Sequence, residues 1–186
     1  MREAQIPVAE RHAALRALYK RQPEAALIVK RVRTRPPIDG EPSHSTTAPE
    51  NLVHPDAPYG VSWELGLDEA VGGLHDAPNP GEMLCATLAA CQEGLLRMMA
   101  SSLGVDLEEL EVTVTGRVDV RGTLNIDPDV RVGFESMRMD VRLRAAPGTP
   151  ARLLERLRLG GERLCVTLDT LRSGVPVEAR YEIASG

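Results

Sequence analysis

The chain has 186 residues, 42% of them hydrophobic, and a formal net charge of −5. A length of this order supports one full core that buries roughly 70% of the surface the unfolded chain exposes. Aromatic residues make up only 3%, so Leu, Val, Ala and Met must build that core. The acidic balance sets the field against phosphate backbones and the scarcity of rings removes base-stacking platforms, so nucleic acid is not expected as a partner.

Met1 to Ala14 mixes Arg2, Glu3, Glu10 and Arg11 with apolar residues and lacks the uninterrupted run of a secretory signal. From Val8 to Lys20, Ala13, Leu15, Leu18 and Tyr19 recur among basic residues, the pattern of an amphipathic helix that Pro23 ends. Residues 1–22 are therefore read as a helical extension and 23–186 as a single domain. A strand is expected over 25–34, then a long irregular loop from Pro36 to Pro58, where Pro, Ser, Thr, His and Asp give no periodic apolar face. Tyr59 to Leu67 resumes strand character.

Asn79 and Pro80 announce the most hydrophobic helix, from Glu82 to Leu103. Leu84, Leu88, Cys91, Leu95 and Met98 follow the 3.6-residue period, and Ala86, Ala89 and Ala90 make its first half apolar on every side, which predicts burial. Leu110 to Arg121 alternates apolar and polar residues without error, and Phe134 to Ala145 alternates again. The pair is expected to run antiparallel with ion pairs between outer faces. A helical stretch opens at Thr149 or Pro150, is interrupted at Gly160 and Gly161, resumes through Leu164, Cys165, Leu168 and Leu171, and closes at Gly174. Val175 to Ile183 reads as a last strand. This order fits an α+β fold with helices on one side of an antiparallel sheet.

The longest near-apolar stretch, Met83 to Cys91, falls far below the roughly 18 residues that cross a bilayer, so a cytoplasmic protein with no membrane partner is expected. The three cysteines are too few for a disulfide scaffold, and an odd number in a reducing compartment points to free thiols or a transient bond. Packing alone accounts for any one of them, because free cysteine often behaves as a small hydrophobe. Cys85 and Cys91 cannot pair within one straight helix, because six residues separate them by about 9 Å of rise and put them on different faces. Any bond within the chain must involve Cys165. His12, His44, His54 and His75 show no paired spacing with a cysteine, so neither metal nor cofactor is expected. Cys91 in mid-helix also lacks the exposed turn of a hydrolase nucleophile.

Around this helix the sequence resembles the OsmC/Ohr family of thiol peroxidases. Gly72-Gly73, then Asn79-Pro80-Gly81-Glu82-Met83-Leu84 and Ala89-Ala90-Cys91, is similar to the family's Pro-x-Glu-Leu-Leu…Ala-x-Cys helix. Asp119-Val120-Arg121-Gly122, Val132-Gly133-Phe134, Cys165-Val166 and Gly174-Val175-Pro176-Val177 follow in the family's order, so the likeness spans residues 59–183. The resemblance implies an OsmC-like fold, with the sheet packed on a long central helix in an intertwined homodimer. It also implies a peroxidase that reduces organic hydroperoxides and is recycled by an external thiol reductant. Cys91 would be the peroxidatic thiol, Cys165 the resolving thiol, and Glu82 the helix-start glutamate that positions an arginine. Where OsmC-type members carry that arginine after Pro-Tyr-Gly, this chain reads Pro58-Tyr59-Gly60-Val61-Ser62-Trp63-Glu64, leaving Arg31, Arg33 or Arg35 as substitutes. The alternative reading is a dimer of the same fold that binds a small apolar ligand or a protein partner without peroxide chemistry.

Overall fold

The computed structural model describes residues 7–37 and 40–184. Residues 1–6 of the expected N-terminal extension and 38–39 of the expected loop lie outside that range. The chain divides into two compact units, the first made of Met1–Ala89 and Val112–Val141, the second of Ala90–Glu111 and Arg142–Gly186.

In the first unit, helix α1 (Val8–Arg21) forms as its period predicts, but none of its residues is buried. Strand β1 (Arg31–Arg35) starts later than expected, because Pro23–Ala26 makes a 3-10 turn and Leu27, Ile28 and Val29 stay unpaired and exposed. The expected irregular loop contains a strand, β2 (Ser45–Glu50), which pairs antiparallel with β1 and with the short β3 (Trp63–Leu65). Its sequence, Ser-Thr-Thr-Ala-Pro-Glu, hides it, because polar side chains rather than apolar alternation hold it. Thr34 and Thr47 share a 2.9 Å hydrogen bond, and Arg33 pairs with Glu50 at 2.9 Å. Pro49 lies beyond the reach of β3, which meets only Ser45, Thr46 and Thr47, so β2 has a neighbour on one side alone there, the setting in which a strand tolerates proline.

Helix α2 (Pro80–Leu103) carries the chain from the first unit into the second. Its burial is partial: Leu88, Gln92, Leu96 and Ala100 are buried, whereas Ala86, Ala90 and Met98 are exposed. Strands β4 (Leu107–Arg117) and β5 (Ser136–Ala145) form a two-stranded sheet. Ion pairs Arg142–Glu111, Arg144–Glu109 and Arg117–Glu135 run in opposite chain order, as an antiparallel pair requires. The strand expected to reach Arg121 stops at Arg117, because the Asp119 carboxylate accepts the Arg121 amide at 3.0 Å and caps a short helix, α3 (Val120–Thr123). Contact with the Arg121 guanidinium also holds the Asp119 carboxyl at a pKa of about 2.

The core of the second unit joins Leu96 and Ala100 of α2, Val105, and Leu157 of helix α4 (Ala151–Leu164), with Leu107, Leu110 and Leu143 of the strand pair packed against it. Gly160 and Gly161 do not interrupt α4, contrary to expectation. They let it lie close to α2: a Cβ on Gly161 would sit 2.5 Å from Gln92 Nε2 and 3.1 Å from Leu96 Cδ2. The helix breaks instead at Cys165, where the backbone turns extended (φ −76°, ψ 110°) before α5 (Val166–Ser173) begins. Residues 175–183 have the alternation of a strand but pair with no strand among the described residues. Val177, Tyr181 and Ile183 are at least 84% exposed.

Candidate functional site

Cys91 and Cys165 come together in the second unit. Gly161 admits α4 against the turn of α2 that follows Cys91, and the end of α4 then delivers Cys165 to it. The two Sγ atoms stand 3.5 Å apart as free thiols, with the Cys165 S–H donating to the Cys91 sulfur. Cys165 is only 2% exposed, whereas Cys91 is half-buried and reachable from solvent. A disulfide bond is about 2.05 Å long, so about 1.5 Å of approach separates this pair from bonding.

The start of α5 decides how these sulfurs ionise. Burial pushes the Cys91 thiol up, but hydrogen bonds from the Thr167 hydroxyl, the Thr167 and Val166 amides and the Cys165 thiol outweigh it, so its pKa is lowered. These donors stabilise the thiolate, and the amides add the positive end of a helix dipole. Cys165 moves the opposite way: burial leads, the Cys91 charge adds to it, and the amides of Leu168 and Thr167 offset only part. The half-buried sulfur of Cys91 is thus the more acidic and the buried one keeps its proton. No arginine contributes to the Cys91 shift.

Glu82 lies on the same helix as Cys91, in its first turn. Its carboxylate accepts the Asn79 amide at 2.9 Å, and its own amide donates to the Asn79 side chain at 2.9 Å, a reciprocal cap with Pro80 at the first helical position. It makes no ion pair among the described residues. Arg31 and Arg33, two of the substitutes for the missing arginine, both reach Glu50.

Cys85 stands apart from the sulfur pair. It lines a cavity of about 1020 Å³ in the first unit with Leu67, Val114, Val118, Val120 and Phe134. Phe134 packs so closely over Gly116 that a Cβ there would meet its ring at 2.4 Å. Thr167 and Val166 are the site residues that sequence reasoning missed. Cysteine is not a favoured helix-capping residue, so nothing marked a helix start after position 165.

A family profile described as OsmC-like protein matches residues 73–180. The chain belongs to the OsmC-like family. The match includes Glu82, Cys91 and Cys165 and leaves α1 and β1–β3 outside it. Comparison with curated proteins found no match. Among solved structures, an OsmC-like protein from Mycoplasma pneumoniae is 14% identical, with a TM-score of 0.58 over 79% of this chain and 89% of its own. An OsmC-like protein of unknown function from Vibrio cholerae is 11% identical, with a TM-score of 0.57 over 77% of this chain and 94% of its own. An organic hydroperoxide resistance protein from Elizabethkingia anophelis, with thiocyanate bound, is 17% identical, with a TM-score of 0.50 over 80% of this chain and 91% of its own. At these identities the likeness is one of fold, and the OsmC-like α+β architecture is what this chain shares with all three. No helix of the described residues is long and apolar enough to cross a membrane.

Proposed function

We propose that this OsmC-like protein is a thiol-dependent peroxidase that reduces organic hydroperoxides. The observation that carries the reading is the sulfur pair at 3.5 Å, in which the surroundings lower the pKa of half-buried Cys91 and raise that of buried Cys165. The fold shared with an organic hydroperoxide resistance protein supports it.

Only a thiolate attacks the O–O bond, and Cys91 is the sulfur whose surroundings favour that form. Its lone pair takes the distal oxygen, the O–O bond breaks, and the departing alkoxide takes a proton to become the alcohol. Cys91 is left as the sulfenic acid. Cys165 then gives up its proton, its sulfur displaces hydroxide from Cys91, and water and a Cys91–Cys165 disulfide form, which shields Cys91 from irreversible oxidation. An external thiol reductant supplies the two electrons that reopen the bond. Such a cycle suits a reducing, cytoplasmic setting. Glu82 serves it at a distance by fixing where α2 begins.

A homodimer is part of the proposal. The exposed faces of α1 and α2 and the unpaired, alternating segment 175–183 leave apolar side chains that a second copy would cover. An arginine from that copy would supply the cation that Cys91 lacks among the described residues of its own chain. Substrates with apolar tails are favoured by the Leu, Met and Ala surroundings of α2.

The test is consumption of cumene hydroperoxide by fully reduced protein. The wild type should turn over and Cys91→Ser should fall to the uncatalysed rate; equal rates would sink the enzyme reading. The second reading, a dimer of this fold that binds a small apolar ligand or a protein partner, draws on the cavity around Cys85 and on the fact that no arginine among the described residues contributes to the Cys91 shift. Under it, both proteins leave the hydroperoxide untouched.

A further inference from the structure

Helix α4 carries four arginines and two glutamates, and the pairing among them is uneven. Glu155 takes Arg158 at 2.7 Å, and Glu162 takes Arg172 of α5 at 3.0 Å. Both carboxylates of the helix are thereby occupied, and Arg152, Arg156 and Arg163 make no ion pair among the described residues. Their spacing of four and seven residues puts all three on one face, over about 16 Å of helix. That face is turned to solvent: the buried residues of α4 are Leu157 and Gly161, whereas the three arginines are exposed. Exposed Leu159 stands between Arg156 and Arg163 on the same face. The stripe runs toward Cys165. A hollow of about 320 Å³ opens near its end, lined by Leu159, Gly160, Arg163 and Leu164. Leu164 and Val166, which flank buried Cys165, are 64% and 71% exposed.

We propose that this face of α4 is a docking surface for an acidic protein that carries a dithiol and reopens the Cys91–Cys165 bond. Unpaired arginine interleaved with exposed leucine around a hollow is the make-up of a protein interface, where arginine is enriched, rather than of a merely solvated face. Charge fixes the sign of the partner, because three guanidinium groups without carboxylates of their own match the carboxylates of another surface. A phosphate backbone would answer to the same arginines, but the net charge of −5 on the whole chain opposes it.

The chemistry at the docked surface is thiol–disulfide exchange. One thiolate of the partner attacks the half-buried Cys91 sulfur, the bond to Cys165 breaks, and Cys165 leaves as a thiolate that takes a proton. The partner's second thiolate then attacks the mixed disulfide and Cys91 departs as a thiolate. The partner ends as a disulfide, having supplied two electrons. That role rests on the peroxidase reading; the preference for an acidic surface does not.

The experiment uses a synthetic acidic dithiol peptide, Glu-Glu-Glu-Cys-Gly-Gly-Cys, on full-length protein. Binding of its fluorescein-labelled form, with Ser in place of Cys, is read by fluorescence anisotropy at low salt. Combined Arg152→Gln, Arg156→Gln and Arg163→Gln should weaken binding about tenfold, and about 0.5 M salt should do the same to the wild type. Combined Arg16→Gln, Lys20→Gln and Arg21→Gln removes as much charge from exposed positions of α1 and should leave binding near the wild-type value. Glutamine suits a helix nearly as well as arginine, and far-UV circular dichroism checks that each variant is folded. In the second measurement the dithiol peptide reduces the Cys91–Cys165 disulfide formed with diamide. Its rate should fall about tenfold in the α4 variant, while the rate with uncharged dithiothreitol stays the same. No binding by the wild type, equal loss in the α1 and α4 variants, tighter binding of a DNA duplex than of the peptide, or an unchanged reduction rate in the α4 variant overturns the proposal. Because neither measurement uses a peroxide, a protein that binds the peptide through α4 but consumes no hydroperoxide keeps the docking surface and loses only the peroxidase reading.

Discussion

At the start of α2 the free amides are closed off: the Glu82 amide goes to the Asn79 side chain, the Asn79 amide to the Glu82 carboxylate, and Pro80 has none to offer. At the start of α5 the capping residue is Cys165, whose side chain takes no amide as a cap, and the Val166 and Thr167 amides instead help to lower the pKa of the Cys91 thiol. The same four-amide problem at a helix end thus has a structural solution in one place and a chemical one in the other. A carboxylate cap satisfies a free amide with its own lone pairs and stabilises the helix start directly. A sulfur in that position gains from the amides only once it is ionised, so the helix end works on the thiol's acidity more than on stability.

That contrast can be broken from either side. The larger effect is expected at α2: Asn79→Ala should lower the free energy of unfolding by about 1 kcal/mol in urea titration, the usual cost of a lost N-cap. It should leave the pH profile of Cys91 alkylation where it was, and a shifted profile would mean that the two helix starts are not separate in function. A smaller effect is expected at α5. Val166→Pro deletes one amide donor at a position where proline suits a helix, and Cys165 already has the extended backbone that a following proline demands. Unfolding should change little, while the Cys91 midpoint rises by about half a pH unit. The sign follows from the direction of the shift. Cys91 lies below the ordinary thiol value, so each donor removed moves it back up and reduces reactivity at neutral pH.

Much of this was legible in the sequence where one force dominates. The apolar period of α2 and the alternation of β4 and β5 come from burial of one face, and each element formed in its expected place, although β4 runs over Leu107–Arg117 rather than from Leu110 to Arg121. β2 was not legible, because hydroxyls and ion pairs rather than apolar residues hold Ser45–Glu50. Gly160 and Gly161 read as an interruption in one dimension, yet in three they are the contact that lets α4 approach α2. The alternation of 175–183 is real in the sequence, but a strand needs a neighbour, and the described residues supply none. The two cysteines stood out by their surroundings. Thr167 did not, since its importance depends on a helix break that no residue near Cys165 announces.

The most direct measurement of the central claim is a peptide map of the reduced protein after one equivalent of cumene hydroperoxide. The account predicts that both thiols disappear together into a cross-linked Cys91–Cys165 peptide pair with Cys85 still free, and that Cys165→Ser protein instead accumulates sulfenic and sulfinic acid at Cys91. Recovery of Cys165 as a free thiol beside an over-oxidised or untouched Cys91 in the wild-type protein would contradict it.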